Sequence, residues 1–180
     1  MISEKVIIAG FGGQGVMLMG QILSYCATEQ DINTLWFPSY GPETRGGTAN
    51  CSVTISDAYV NSPVISTPDS IIIMNKPSLA KFQPKLKQGG LCFVNSSLVI
   101  GEEYRDDVTI YEVPANDLAL QLGNMKVANM IMLGAYLKIT NLFSIDDVIA
   151  VMEHKFTGAK AKLIDINRQA LEVGQSAVTK

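Results

Sequence analysis

An α/β domain with a mostly parallel sheet flanked by helices is the fold that this sequence predicts, and three observations carry the prediction. Apolar runs of strand length alternate with stretches of helix length along the chain. At least one run, "SIIIMN" (Ser70–Asn75), is continuously apolar, the pattern of a strand covered on both faces. The third observation is a glycine-rich turn, "GFGGQG" (Gly10–Gly15), set between the first apolar run and the first helix. A chain of 180 residues is long enough to bury one sizeable core. Residues 1–180 therefore read as a single domain, without repeats, low-complexity tracts or a linker.

The elements follow in order. Val6–Ala9 is the first strand, and Gln14–Glu29 has helical length. Thr34–Phe37 is the second strand and leads into a turn-rich stretch, "PSYGPETRGGTAN" (Pro38–Asn50). Cys51–Ile55 alternates small polar with apolar residues, as a half-buried strand does, and Thr48–Ser62 is a candidate antiparallel excursion. After Ser70–Asn75 a helix is expected over Pro77–Gln88, stopped by Gly89-Gly90. Leu91–Val94 and Val108–Val113 complete the strands. Helices are then expected at Ala115–Leu122, Lys126–Ile139, Ile145–Lys155 and Ala159–Ala177. Ser144, with Asp146 and Asp147 behind it, marks the start of the third of these.

Two helices are apolar most of the way round. Val16, Met17, Leu18, Met19, Ile22, Leu23 and Cys26 do this in the first, and "VANMIMLGAYLKI" (Val127–Ile139) does it again. Such a helix is sandwiched inside its own domain or covered by another chain. Two sandwiched helices are many for a chain this size, so at least one is expected to wait for a partner, and the isolated chain to self-associate.

Composition narrows the function. Hydrophobic residues make up 47% and charged residues 17%, the balance of a packed globular protein. A net charge of −3 argues against nucleic acid, which needs a basic face. The N-terminal residues lack the apolar core of a signal peptide, and no helix is apolar for long enough to cross a bilayer, so a cytoplasmic protein without membrane association is expected. Cys26, Cys51 and Cys92 are odd in number and far apart, which fits buried thiols rather than a disulfide frame.

Gly10, Gly12, Gly13, Gln14 and Gly15 form the first candidate site, and their setting makes the fold Rossmann-like. In the pattern Gly10-x-Gly12-x-x-Gly15, the first glycine permits a tight turn, the second close approach of a ligand, and the third packing of helix on strand. The helix N-terminus offers unpaired N–H groups to an anion. A dinucleotide site also needs an acid at the end of the second strand, where this chain has Trp36-Phe37-Pro38-Ser39. Glycines that only allow strand and helix to pack are the simpler alternative.

"SYGPETRGG" (Ser39–Gly47) is the second and more specific candidate. Its glycines bracket Glu43 and Arg45, and Arg presents a planar fork suited to phosphate or carboxylate. The strand order expected would leave this loop, with Tyr40, Gly46 and Gly47, beside the glycine turn at the strand ends. A surface loop closed by its own Glu–Arg pair is the alternative. Asn129 is polar in an apolar helix and needs a partner; it either tethers the glycine turn or reaches a ligand. The single histidine, His154, lies at a helix end among charged residues, where a solvated face is expected rather than catalysis. Without Cys-x-x-Cys spacing or a Ser–His–Asp set, no catalytic residue and no metal ligand is assigned, and the chain does not read as a complete catalyst.

In order and spacing, "GFGGQG" and "SYGPETRGG" resemble the gamma subunit of 2-oxoacid:ferredoxin oxidoreductases, most like that of the 2-oxoglutarate enzyme. "NSPVISTPDSIIIMN" and "NMIMLGAY" extend the resemblance over nearly the whole chain. The resemblance implies a gamma-type domain across 1–180, in a complex with alpha, beta and delta subunits. Such a complex oxidatively decarboxylates a 2-oxo acid with coenzyme A, and passes electrons to ferredoxin or a similar acceptor. It further implies that thiamine diphosphate and iron–sulfur clusters sit on other subunits, with no cofactor held by this chain alone. Coenzyme A, or a carboxylate of a neighbouring chain, is then the anion expected near Gly10, Gly12, Gly13, Gln14, Gly15, Tyr40, Glu43, Arg45, Gly46, Gly47 and Asn129. A free-standing nucleotide-binding oxidoreductase and a purely structural assembly subunit remain as alternatives.

Overall fold

Six strands hydrogen-bond into one sheet in the order β2-β3-β1-β4-β5-β6. They are β1 (Ser3–Phe11), β2 (Asn33–Tyr40), β3 (Thr48–Ser56), β4 (Ser70–Ile73), β5 (Leu91–Asn95) and β6 (Thr109–Val113). This computed structural model describes residues 1–40, 48–155 and 162–178. Strand β3 is antiparallel to both β1 and β2, while β1, β4, β5 and β6 pair in parallel, so β3 alone runs against the rest. The antiparallel excursion is thus β3 itself, and it separates β2 from β1.

The helices are α1 (Val16–Glu29), α2 (Lys76–Phe82), α3 (Ala115–Gln121), α4 (Ala128–Thr140), α5 (Ile145–Lys155) and α6 (Ile164–Ser176). Alternation along β1 divides the core in two. Val6 and Ile8 face a large cluster with α1, α3, α4, α5 and α6, and Ile7 and Ala9 face a smaller one with α2, Ile65 and Val99. Helix α2 is shorter than expected because Pro84 follows it; the chain passes into a 3-10 turn at Gln83–Lys85 well before Gly89. Helix α5 starts where Ser144 marks it: Asp147 N–H donates to Ser144 Oγ at 3.1 Å, and Ser144 N–H donates to Asp147 Oδ2 at 2.8 Å.

The two apolar helices fare differently from expectation. Every residue of α4 from Ala128 to Leu137 is buried, with the sheet on one side and α6 on the other. Helix α4 therefore needs no second chain, and Met130, 1% exposed, belongs to the core rather than to a partner surface. Met130→Glu is accordingly expected to abolish cooperative unfolding rather than assembly, which circular dichroism checks. Helix α1 buries Val16, Met19, Ile22, Leu23 and Cys26 and leaves Met17 and Leu18 half-buried. For α4 the cover is α6, whose few apolar positions hide how much of that helix it packs against.

A half-buried carboxylate gives the fold a pH dependence. The Tyr136 hydroxyl, fully buried, donates to Glu4 Oε1 at 2.9 Å. Burial raises the Glu4 carboxyl above its ordinary 4.5, and the Tyr136 hydrogen bond only partly opposes it. The folded state then holds a proton that the unfolded state has released. From about pH 4.5 upward, stability should fall as pH rises through the raised value, and Glu4→Gln should flatten that slope in urea unfolding.

Candidate functional site

The glycine turn lies where β1 passes into α1, at the end of the sheet where the parallel strands finish. Gly10 has no room for a side chain: a Cβ there would stand 2.6 Å from Gln14 Oε1 and 2.8 Å from Met74 Cβ. Gln14 closes the turn. Its backbone N–H donates to Phe11 O at 3.2 Å, its Oε1 accepts from Phe11 N–H at 2.6 Å, and its Nε2 donates to Met74 O at 3.3 Å. Gly13 and Gly15 are in the left-handed region, with φ of 90° and 76°, and Gly15 is the N-cap of α1.

Asn129 reaches the turn from α4. Its Nδ2 donates to Gly15 O at 3.3 Å and its Oδ1 accepts from Met130 N–H at 2.9 Å. A Cβ on Gly15 would run into this amide, so the third glycine makes room for a tether as well as for the helix.

What the turn leaves open is a set of donors. Among the described residues, the N–H groups of Gly12, Gly13 and Gly15 have no acceptor, nor do those of Val16, Met17 and Leu18 in the first turn of α1. Among the described residues, no side chain caps this helix and no acid sits in its first turn, so nothing described there neutralises its positive end. Gly12 and Gly13 are exposed, and a Cβ on either would meet none of the described residues within 4 Å. Successive free N–H groups with left-handed residues among them form a concave anion site.

A cleft of about 270 Å³ adjoins the turn, lined by Gly13, Gln14, Asn116, Met125, Lys126 and Asn129, among others. Lys126 was not singled out by sequence reasoning, although it begins an expected helix. It faces this cleft because the Asn124 side chain accepts its N–H at 3.0 Å and turns the chain there. Asn95, fully buried, anchors the wall: it donates to Asn116 Oδ1 at 2.9 Å and accepts from Ala115 N–H at 3.2 Å.

The second candidate is only partly visible. Tyr40 ends β2 and is 74% exposed. Glu43, Arg45, Gly46 and Gly47 lie outside the described residues. The register of the described strand ends is clear. Gly10 and Tyr40 both pair with Ala49, from opposite sides, and Phe11 pairs with Thr48. The end of β2 is therefore level with the glycine turn but one strand further away than expected, about 10 Å from Gly10.

Burial pushes the thiols of Cys26, Cys51 and Cys92 up to about 12, which keeps them unreactive. His154 is exposed, with Nδ1 4.0 Å from Glu29. Among the described residues, no three His, Cys, Asp or Glu side chains gather as metal ligands, and no helix is long and apolar enough to cross a membrane.

Residues 5–177 match the profile of the pyruvate ferredoxin/flavodoxin oxidoreductase family. Over 171 residues, 94% of this chain, the sequence is 40% identical to ketoisovalerate oxidoreductase subunit VorA of Methanothermobacter thermautotrophicus, and it spans 35% of that relative's length. It is 35% identical over 151 residues to 2-oxoglutarate synthase subunit KorC of the same organism, covering 80% of each chain. Among solved structures, the gamma subunit of a keto/oxoacid ferredoxin oxidoreductase from Geobacter sulfurreducens superposes with a TM-score of 0.82 at 26% identity, over 97% of both chains.

Proposed function

This chain belongs to the pyruvate ferredoxin/flavodoxin oxidoreductase family, and we propose that it works as the gamma subunit of a multisubunit 2-oxoacid:ferredoxin oxidoreductase. In that reading the complex converts a 2-oxo acid and coenzyme A to acyl-CoA and carbon dioxide, with alpha, beta and delta subunits as partners. Thiamine diphosphate and iron–sulfur clusters supply the redox chemistry on those partners. Among the described residues, no group of three His, Cys, Asp or Glu side chains is placed to hold a metal ion.

The observation that carries this chain's own role is the set of N–H groups of Gly12, Gly13, Gly15, Val16, Met17 and Leu18 that find no acceptor among the described residues. They fit an anion, and a phosphate of coenzyme A is the anion this reaction brings. The turn would bind and orient that group with donors already in place, so little ordering accompanies binding. 2-Oxoglutarate is the substrate favoured, supported by a KorC relative of similar proportions, while the VorA relative brings a branched-chain oxo acid into the same comparison. Dye reduction by the reconstituted complex with 2-oxoglutarate, pyruvate and 2-oxoisovalerate separates them. The isolated chain should reduce no dye with any of the three.

Arg45, three residues before Thr48, is proposed to close the anion site from the other side. Losing one charge-assisted hydrogen bond costs about 1.5–3 kcal/mol, so Arg45→Ala should raise the coenzyme A KM roughly tenfold or more. Arg45→Lys should restore it only in part, since an ammonium lacks the planar fork. Weakened assembly with an unchanged KM would point instead to a carboxylate on a neighbouring subunit. If both are unchanged, Arg45 has no part in the site.

A further inference from the structure

Helix α4 carries a contrast that the anion site does not use. From Ala128 to Leu137 all its residues are buried, and just two of them, Asn129 and Tyr136, have polar side chains. They are seven residues apart, close to two turns, so they leave the same side of the helix. Both bond to the first strand–turn unit of the chain. Asn129 Nδ2 meets Gly15 O, just past the end of β1, at 3.3 Å, and the Tyr136 hydroxyl meets Glu4, near the start of β1, at 2.9 Å. Apolar side chains hold a helix along a sheet through the fit of their shapes. Two polar bonds, one near the start of β1 and one to the turn beyond its end, add a directional constraint.

We propose that the Tyr136–Glu4 hydrogen bond is a positioning contact for the glycine turn: it fixes where α4 stands along β1, and α4 in turn holds Asn129 against Gly15. On the α6 side the helix is held by another device, the close backbone approach at Gly134 and Gly174. On the sheet side, Tyr136 and Asn129 are the polar contacts of α4, and they act as a pair. Its consequence for ligand binding rests on the function proposed above; its structural consequence does not.

Tyr136→Phe isolates the bond. The ring that meets Phe93 edge-on at 5.4 Å is retained, and only the hydroxyl is lost. In the full-length chain, amide hydrogen exchange is read at Gln14, Met19 and Met130, whose N–H groups are bonded within and around the turn. The expected result is exchange about tenfold faster at these three in Tyr136→Phe, with β6 unchanged. Glu4→Leu should reproduce this, whereas Glu4→Gln, which keeps an acceptor oxygen, should leave exchange at the wild-type rate. Faster exchange confined to the neighbourhood of Glu4 and Tyr136 would overturn the proposal. In the reconstituted complex, Tyr136→Phe should raise the coenzyme A KM about threefold with kcat retained. If the wild-type complex shows no dependence on coenzyme A, the functional reading fails, and the exchange result still decides the positioning role.

Discussion

Gly174→Ala is expected to lower the thermal unfolding midpoint by about 6–12 °C, the consequence of roughly 3 kcal/mol of overpacking in a domain of this size. Propensity alone gives the opposite sign, since alanine in a helix interior is favoured over glycine by about 1 kcal/mol. The difference lies in what the new methyl group would touch. A Cβ on Gly174 of α6 falls on the carbonyl of Ile131, and a Cβ on Gly134 of α4 falls on that of Leu171. Each glycine thus admits the backbone of the other helix, and a main-chain carbonyl inside a core cannot swing aside as a long side chain can. Gly134→Ala should behave in the same way. Calorimetry of both variants decides the matter: a midpoint that rises in either would mean that the two helices do not cross in backbone contact.

That contact also shows where the sequence stops being readable. Strand–turn–helix at Gly10–Gly15 and the start of α5 at Ser144 are local patterns, and both are present as expected. The end of α2 was also local, but the signal was Pro84 rather than Gly89-Gly90. Helix α4 is another matter. An apolar circumference says that something covers the helix, and its own residues do not say what. The answer lies in Gly174 and in the register of α6, which begins some two dozen residues after α4 ends. Lys126 and Tyr136 were missed because what they meet is distant in sequence: Lys126 lines a cleft with Gly13 and Gln14, and the Tyr136 hydroxyl bonds to a residue 132 positions away. Asn129, by contrast, announced itself as a polar residue on an apolar face. The strand order was only half legible, since nothing in Thr34–Phe37 shows that β3 rather than β2 lies beside β1.

Gly12→Ala should leave the fold as stable as wild type or slightly more so, and should raise the coenzyme A KM of the complex tenfold or more. The two halves of this expectation have separate causes. Gly12 does not have a left-handed φ, and a Cβ there would meet none of the described residues within 4 Å, so nothing described requires glycine at this position. Substituting alanine removes conformational freedom from the unfolded chain, worth about 0.4–1 kcal/mol in favour of folding. The same methyl group would stand among the free N–H groups of Gly12, Gly13 and Gly15, holding an anion beyond hydrogen-bond distance. Losing one such charged bond costs about 1.5–3 kcal/mol, and tenfold corresponds to 1.4. Gly13→Ala is the informative contrast. Its φ of 90° strains any side chain, so that variant should lose stability and binding together. If Gly12→Ala binds coenzyme A as wild type does, the open face of the turn is not where the phosphate sits. The glycines would then serve the packing of β1, α1 and Asn129 alone.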